Sequence, residues 1–366
     1  MNITQIGASP SFAQQVIAWQ RLAGRHHLPW QNTKDAYLIW LSEIMLQQTQ
    51  VAAVIPFYVR FLLQFPNFQT LASAPADAVL AAWAGLGYYS RARNLHQCAK
   101  QIMTNHQGQF PRDVASAVAL PGIGRSTAAA ILSFAYGQPL PILDANVKRV
   151  FCRYFGVDGD PTSAHVTKAL WSIAQREVPS ASIQAYNQGL MDLGATICTP
   201  RRPSCARCPV SGNCVALQTN RVDELPIKKR RTLSPTRKPV FLMVMQDQSI
   251  WLERQPAPGI WAGLYSLPRL IDDLTGDESV GLAIENWLAQ KSWEALKIPT
   301  LKHQFKHAFT HFKLDAQCWQ VEVGGNALIA AQPGRGFYSQ LAREKLGLPK
   351  PIQTLLKKPV CLQEID

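Results

Sequence analysis

The stretch CTPRRPSCARCPVSGNC, residues 198–214, places four cysteines in one short run with C-x6-C-x2-C-x5-C spacing. Cys198, Cys205, Cys208 and Cys214 lie too close together for a typical zinc ribbon, which uses two separated C-x2-C pairs. A [4Fe-4S] cluster takes four thiolates, and short unequal loops can follow its surface. Disulfides are the alternative, but they persist in oxidising compartments and the N-terminal residues contain no secretory signal. The run therefore predicts a [4Fe-4S] cluster.

The composition predicts a basic globular protein. The chain has 366 residues, of which 47% are hydrophobic, and this is enough for two or three domains with ordinary cores. Its 37 Lys and Arg against 24 Asp and Glu give a net charge of +13, which favours nucleic acid, ahead of a membrane surface, as partner. The longest apolar run, residues 36–59, is interrupted by Glu43 and Pro56 and does not read as a membrane span. We expect a cytoplasmic protein that does not bind a membrane.

The residue patterns change near the middle of the chain. Helical periodicity extends from Phe12 to about Leu217, so the first part should be all-α. Basic residues then alternate with prolines up to Pro239, which is typical of a linker. After it, strand patterns at residues 240–254 and 305–323 and helical patterns near residues 281–296 and 338–346 predict an α+β domain.

Two glycines precede an alanine-rich helix. Gly122 and Gly124 open a tight turn into the N-terminus of the segment Ala128–Tyr136. Free backbone N–H groups at such a turn can face an anion, and glycines let a phosphate approach the backbone closely. A plain turn between helices is the alternative. With the positive charge of the chain, the pattern favours a nucleic-acid phosphate.

Two carboxylates stand in contrasting surroundings. Asp144 precedes a helix as an N-cap, where helix N–H donors should keep it ionised, although capping alone would also explain it. Glu43 is the only charged side chain in residues 36–59, so burial should raise its pKa and suit it to be a general acid, unless it sits at the one wet point of its helix. A proton donor and an ion stabiliser are what cleavage at a sugar C1 needs, because the transition state resembles an oxocarbenium ion.

Together these motifs resemble the MutY family of adenine DNA glycosylases. The resemblance rests on Glu43 within WLSEIMLQQTQV (residues 40–51), the Gly122–Gly124 hairpin, DANVKRV (residues 144–150) and the cysteine run. Endonuclease III shares the hairpin, the aspartate and the cysteine spacing, but such lyases carry a lysine nucleophile where this chain has Ser126. The segment Pro258–Pro268 is similar to the Nudix fold, a C-terminal addition that is specific to this family. The acidic R-E-x-x-E-E signature is missing, so this domain should bind without hydrolysing.

The resemblance implies an activity and a set of roles. It implies a monofunctional glycosylase that flips out and hydrolytically removes adenine mispaired with 8-oxoguanine or guanine in duplex DNA, as a step of base excision repair. Glu43 would protonate the adenine, Asp144 would stabilise the sugar cation, and Asn146 and Ser126 would support them. Trp30 would line the adenine pocket.

The resemblance also implies DNA contacts. Tyr88 would be a wedge between base steps, and Phe309, Thr310 and His311 would recognise 8-oxoguanine, with Thr310 in place of the family's serine. The full set of expected DNA-binding residues is Gln48, Thr49, Leu86, Tyr88, Gly122, Gly124, Phe309, Thr310 and His311. We expect a monomer, with other repair proteins as further partners.

The expected architecture is an all-α helix-hairpin-helix region over residues 1–225, a basic linker over 226–238 and an α+β Nudix-like domain over 239–366. Within the first region, a six-helix module spans about residues 30–136 and an iron-sulfur cluster module combines residues 1–29 and 137–225. Three rival functions stay open on the residues alone: a bifunctional endonuclease III-type lyase, a non-catalytic DNA-binding protein and a nucleotide pyrophosphohydrolase.

Overall fold

The computed structural model describes residues 10–227, 234–274, 279–309, 311–324 and 334–357. Contacts between residues divide the chain into two compact units. The first unit combines residues 1–72 and 97–231, and the second combines residues 73–96 and 232–366. The short segment 73–96, which carries Tyr88, therefore belongs to the same unit as the C-terminal part of the chain.

Helices make up the described chain as far as residue 218, as the sequence predicts. In chain order they are α1 (Phe12–Ala23), α2 (Ala36–Leu46), α3 (Val51–Gln64), α4 (Phe68–Ser73), α5 (Ala76–Trp83), α6 (Ser90–Asn105), α7 (Val114–Ala119), α8 (Arg125–Tyr136), α9 (Ala145–Phe155), α10 (Ala164–Arg176), α11 (Ile183–Asp192) and α12 (Val215–Gln218). A π-helical turn, Leu193–Ile197, and two 3₁₀ turns, Cys205–Arg207 and Ser211–Asn213, lie between α11 and α12. None of the helices among the described residues is long and apolar enough to cross a membrane.

The core of the first unit fixes the helices that carry the candidate site. Phe12 of α1, Phe151 of α9 and Tyr186 of α11 are all buried there, with Phe12 and Phe151 ring centroids 5.9 Å apart. Helix α2 is buried on most of its surface, and Trp40 and Leu41 are fully inaccessible. Each such side chain contributes about 1.5–3 kcal/mol by leaving water, so α2 is held firmly and Glu43 with it.

An eight-stranded sheet dominates the second unit. Its strands are β1 (Thr236–Arg237), β2 (Val240–Gln246), β3 (Ser249–Arg254), β4 (Tyr265–Ser266), β5 (Arg269–Ile271), β6 (Thr300–Ala308), β7 (Lys313–Glu322) and β8 (Arg335–Tyr338). The order β1-β7-β2-β3-β4 forms the main path, with β5 on β2, β6 on β7 and β8 on β3. Strand β7 is parallel to β1 and β2, whereas the β2–β3 and β6–β7 pairs are antiparallel.

The described residues after 232 also form three helices: α13 (Val280–Ala289), α14 (Gln340–Glu344) and α15 (Lys350–Lys357). The unit further includes α5 and the first residues of α6. Two predicted boundaries are wrong. Helix α13 ends at Ala289 and not near residue 296, because the chain turns at Ser292 with φ 55° and delivers Trp293 against Trp251 at 4.9 Å. Tyr338 ends strand β8, and Ser339 then caps α14. The all-α and α+β assignments are confirmed.

The predicted linker is only partly a linker. Residues 228–233 lie outside the described part of the chain. Thr236 and Arg237 form strand β1, which pairs with Lys313 and Leu314 of β7. The sheet therefore begins inside residues 226–238, because these two residues find backbone partners along the edge of β7.

Candidate active site and cysteine loop

The Glu43 side chain, on α2, lines a cavity of about 590 Å³ in the first unit. Trp30 lines the same cavity, is 8% exposed and packs edge-to-face on Tyr58 with ring centroids 5.3 Å apart. Burial, with the charge of Asp144 as a smaller cause, raises the pKa of Glu43 to about 8. The pKa of Glu43 is thus raised, as the sequence predicts, and the side chain borders a space large enough for a base. Its role as proton donor stays a prediction.

Asp144 is the N-cap of α9, as the sequence predicts. Its Oδ1 accepts a hydrogen bond from the Val147 N–H at 2.7 Å. The expectation that helix donors keep it readily ionised is wrong in direction. Burial raises the pKa of Asp144, and the hydrogen bonds from Val147 and Asn146 and the charge of Arg149 offset this only in part. With Glu43 nearby, the pair holds a proton to higher pH than two isolated carboxyls would.

Ser126 supports the chain just before Asp144. Its Oγ accepts a hydrogen bond from the Leu143 N–H at 2.9 Å. The hydroxyl therefore ties the start of α8 to the residue that precedes the α9 cap. Gln47 provides a second link, because its Nε2 donates to the Gly122 carbonyl at 3.3 Å and so joins the end of α2 to the hairpin.

The two hairpin glycines have different reasons to be glycine. Gly122 has φ 79°, a left-handed conformation that side chains disfavour. Gly124, the N-cap of α8, has φ −90° and no side-chain cap, and an added Cβ would meet nothing within 4 Å. The space beside Gly124 at the start of α8 is therefore open, as a phosphate that approaches the backbone there needs.

Asn146 and Arg149 connect α9 to the segment that leads into the cysteines. Arg149 Nη2 donates to Asn146 Oδ1 at 2.8 Å and to the Gly194 carbonyl at 2.6 Å, and its Nε donates to the Cys198 carbonyl at 2.7 Å. Gly194 lies so close that an added Cβ would stand 2.6 Å from Asn146 Cβ. The π-helical turn therefore braces the start of α9, where Asp144 sits.

The four cysteines line one cavity with Arg153. None of them forms a disulfide. No group of three or more Cys, His, Asp or Glu side chains among the described residues is spaced to hold a single metal ion. The residue set suits a larger, negatively charged thiolate cluster: Arg153 is 3% exposed, and its Nη1 donates to Cys198 Sγ at 3.4 Å and to the Thr199 carbonyl at 2.7 Å.

Known proteins resemble this chain in sequence along most of its length. Residues 41–176 match the family of HhH-GPD superfamily base excision DNA repair proteins, and residues 240–358 match the NUDIX domain. Over 347 residues, 94% of this chain and 98% of the relative, the chain is 35% identical to the adenine DNA glycosylase of Buchnera aphidicola subsp. Schizaphis graminum. The chain belongs to the adenine DNA glycosylase family.

Two further comparisons extend the family relationship. The human adenine DNA glycosylase is 32% identical over 381 residues, which cover 88% of this chain and 69% of the human protein. The structure of a thermostable thymine-DNA glycosylase matches 57% of this chain and 95% of its own, with a TM-score of 0.52 and 31% identity. The chain is thus a DNA glycosylase, an enzyme that hydrolyses N-glycosidic bonds, with a helix-hairpin-helix region and a Nudix-like C-terminal domain.

The rim of the cavity in this glycosylase contains residues that the sequence did not single out. Asp192, fully buried at the end of α11, accepts hydrogen bonds from the Arg25 backbone N–H at 2.8 Å and from Arg25 Nε at 2.7 Å. Gln188 Nε2 also donates to Asp192, at 2.8 Å. Arg25 and Gln188 both line the cavity. No local pattern could have paired Arg25 with a carboxylate so distant in sequence.

The expected DNA-contacting residues of this family member sit on turns. Gln48 is exposed with φ 56°, and Thr49 follows it in the turn after α2. Tyr88 is 46% exposed with φ 48°. Non-glycine residues at positive φ are uncommon and concentrate at functional sites. Leu86, by contrast, is only 7% exposed, so its side chain is buried within the second unit.

A buried arginine shapes the turn that carries Tyr88. Arg91 Nη2 donates to the Leu86 and Gly87 carbonyls at 3.4 and 3.1 Å. Its guanidinium also lies over the rings of Trp83 and Tyr88, at 5.3 and 5.4 Å from the centroids. Arg91 was not singled out from the sequence, although an arginine three positions after Tyr88 is close enough along the chain to suggest a contact with its ring.

The expected 8-oxoguanine loop of this glycosylase lies between β6 and β7. Phe309 stacks on Phe312 at 4.7 Å and packs near His307 and Trp261 at 4.7 and 6.1 Å. His311 is exposed. Thr310 lies outside the described residues. The aromatic cluster therefore places Phe309 firmly at the end of β6.

Proposed function

We propose that this chain removes adenine that is mispaired with 8-oxoguanine or guanine in duplex DNA, leaving an abasic site in an intact strand. The observation that supports it best is the pair Glu43 and Asp144, two largely enclosed carboxyls that interact electrostatically, of which Glu43 lines a cavity able to hold a base. Membership of the adenine DNA glycosylase family supports adenine as the base removed.

The chemistry divides between the two carboxyls. With a pKa of about 8, Glu43 keeps its proton at neutral pH and can donate it to the adenine, which then leaves more easily. The Asp144 carboxylate stabilises the positive charge that develops at the sugar C1. Protonation of one carboxyl favours ionisation of the other, because two negative charges this close repel each other. Water then completes the hydrolysis.

Supporting residues hold this pair in place. Ser126 fixes the backbone at Leu143, and Asn146 with Arg149 holds the first turn of α9. Ser126 carries no amine, so it cannot form the Schiff base with which a lyase cleaves the strand. A monofunctional reaction is therefore the one we propose.

DNA engagement begins at phosphates and continues by base extrusion. The open amides at Gly124 and the +13 net charge favour contact with the phosphate backbone. Tyr88, held outward on its strained turn, acts as the wedge, and Gln48 and Thr49 contact the DNA near the extruded base. Trp30 forms one wall of the adenine pocket, where an aromatic face can pack against a base.

The C-terminal sheet unit recognises the base that is paired with the adenine. Phe309, Thr310 and His311 at the β6–β7 loop contact 8-oxoguanine. The domain lacks the acidic signature that Nudix hydrolases use to bind metal, so it recognises without hydrolysing. Oxidised nucleotides should therefore stay intact in its presence.

We place a [4Fe-4S] cluster on Cys198, Cys205, Cys208 and Cys214. When bound, the cluster would link the four cysteine thiolates and so hold the loop rigid, and it would take part in no step of the reaction. The buried Arg153, which donates to Cys198 Sγ, would offset its negative charge. Analysis of purified protein for about four iron and four acid-labile sulfide atoms per chain tests this assignment.

The deciding experiment is a single-turnover excision assay on A·8-oxoguanine, A·G and A·T duplexes. We expect adenine release from the first two, and strand cleavage only after added base. Release from A·T alone, or no release, would contradict the proposed substrate. Cleavage without added base would instead favour a bifunctional lyase.

A further inference from the structure

Residues 73–96, the wedge segment that carries Tyr88, are attached by specific hydrogen bonds to the C-terminal part of the second unit, residues 232–366. The Tyr89 hydroxyl accepts from the Gly85 N–H at 3.2 Å and donates to the Leu348 carbonyl at 3.2 Å. Tyr89 is largely buried, and this burial raises the pKa of its phenol, so the hydroxyl keeps its proton and can donate. One phenol thus bridges the glycine turn before Tyr88 and a loop that follows α14.

A second bridge leaves the first turn of α6. Arg93 Nη1 donates to the Ala262 carbonyl at 2.6 Å. The Arg93 backbone N–H in turn donates to the Tyr89 carbonyl at 3.2 Å. Because the guanidinium donor is charged, this hydrogen bond should be stronger than one between two neutral groups.

Ala262 neighbours the aromatic cluster at the expected recognition loop. Trp261 packs near Phe309 at 6.1 Å and near His307 at 6.2 Å. Trp261 also has φ 56°, an uncommon conformation for a large side chain that its packing must maintain. Movement of Phe309 would therefore press on Trp261 and, through Ala262, on Arg93.

Further contacts hold the same segment against the sheet unit. Asp77 of α5 forms an ion pair with Arg254 at 2.5 Å. Gly347 lies so close to Leu80 that an added Cβ would stand 2.9 Å from Leu80 Cβ. The wedge segment is thus anchored at its start by α5 and near Tyr88 by Tyr89 and Arg93.

We propose that Tyr89 and Arg93 are positioning residues that make extrusion of adenine depend on the opposite base, by transmitting occupancy of the Phe309 loop to the Tyr88 turn. This rests on the proposed function, since it needs adenine excision and 8-oxoguanine recognition by this chain. When the opposite base is guanine, the loop is not occupied by 8-oxoguanine. The hydrogen bonds of Tyr89 and Arg93 should then add little to the rate of adenine excision from an A·G pair.

The test compares Tyr89→Phe and Arg93→Met with the wild type in single-turnover excision on A·8-oxoguanine and A·G duplexes. Tyr89→Phe removes one oxygen, and Arg93→Met keeps an apolar stem. Each change should lower the A·8-oxoguanine rate constant about fivefold, as loss of one hydrogen bond does, and the A·G rate constant by less than about twofold. Tyr136→Phe is the matched control: its hydroxyl donates to the Phe110 carbonyl at 2.9 Å in the first unit, and the ratio of the two rates should not change.

A double-mutant cycle separates transmission from a merely structural role. If Tyr89 acts through the wedge, Tyr89→Phe should leave the rate ratio unchanged in a Tyr88→Ala background. Equal losses on both duplexes, or additive effects in the cycle, would overturn the coupling. Should Tyr89→Phe prove unfolded by thermal melting, the Arg93→Met ratio decides the question. A wild type that releases no adenine from either duplex would overturn the proposed function as well, whereas release with unaltered ratios in both variants overturns the coupling alone.

Discussion

The charge of Asp144 helps to raise the pKa of Glu43 to about 8, so the two carboxyl groups do not ionise independently. Burial raises the pKa of Asp144 as well. Such a pair divides acid and anion roles between its members, since ionisation of one disfavours ionisation of the other. The reaction should therefore need the singly protonated pair.

The raised pKa of Glu43 should make the stability of the protein depend on pH. Because the folded pKa of Glu43 lies above its ordinary value of 4.5, its contribution to stability is fully present below pH 4.5 and is lost as pH rises towards 8. Glu43→Gln should remove this loss of stability, because glutamine does not ionise. Near pH 9 the free energy of unfolding of the variant should therefore exceed that of the wild type by roughly 3–5 kcal/mol. Urea unfolding at about pH 5 and pH 9 measures the difference. Wild-type excision should also fall above pH 8, and a flat rate profile to pH 9.5 would refute Glu43 as the acid.

Asp144→Asn should abolish most excision while the duplex stays bound. The amide can still accept the Val147 hydrogen bond, so the cap survives, but the negative charge that faces the sugar cation is lost. We expect a fall of about 10²–10³ in the single-turnover rate constant. Asp113→Asn makes the same exchange at the cap of α7, where Oδ1 accepts from Ser116 at 2.8 Å, and should leave the rate intact. Substantial excision by Asp144→Asn would remove the assigned role.

The sequence anticipated the features that depend on neighbours along the chain. Asp144 caps α9 because a short acceptor precedes an amphipathic run, and the pKa of Glu43 is raised because its helix is apolar on every side and its carboxyl is largely enclosed. The direction of the Asp144 pKa could not be anticipated in the same way. It depends on how much protein surrounds the cap, and that is set by packing of distant segments.

Hydrogen bonds between segments that are distant in sequence could not be predicted from local sequence patterns. Arg25 meets Asp192, and Tyr89 meets Leu348, across sequence separations that no periodicity reports. The membership of residues 73–96 in the sheet unit is of the same kind. Motif spacing identifies which residues could do chemistry, whereas tertiary contacts decide which residues hold them.

Gly194→Ala should lower excision without removing any reacting group. An added Cβ would stand 2.6 Å from Asn146 Cβ and 3.2 Å from its backbone carbon, so the first turn of α9 must shift. Misplacing Asp144 by even a fraction of an ångström should reduce the rate, up to about 10²-fold for a shift of 1 Å. Gly212→Ala is the matched control, because nothing lies within 4 Å of its added Cβ. Equal rates for the two variants would show that the π-helical turn does not position the site.

Ser126→Lys should introduce strand cleavage. The serine lies at the start of α8 and reaches the backbone next to Asp144, so an amine there comes close to the reacting sugar. A trapped imine after borohydride reduction of an A·8-oxoguanine reaction is the measurement, with Ser126→Ala as the control that gives none. Excision by Ser126→Lys with no trapped imine would count against this geometry.

Asp192→Asn should loosen the rim of the base cavity. The carboxylate holds both Arg25 and Gln188, and its loss leaves the Arg25 guanidinium without its ion pair in a partly buried place. We expect a loss of about 2–4 kcal/mol in the free energy of unfolding, discounted from the fully buried case because the Arg25 side chain is 21% exposed. Weaker binding of adenine-containing duplex should accompany it, measured against a duplex with an abasic site, where no base enters the cavity. Asp272→Asn breaks the exposed pair with Arg269 and should cost less than about 1 kcal/mol, so equal losses in the two variants would contradict a specific role for Asp192.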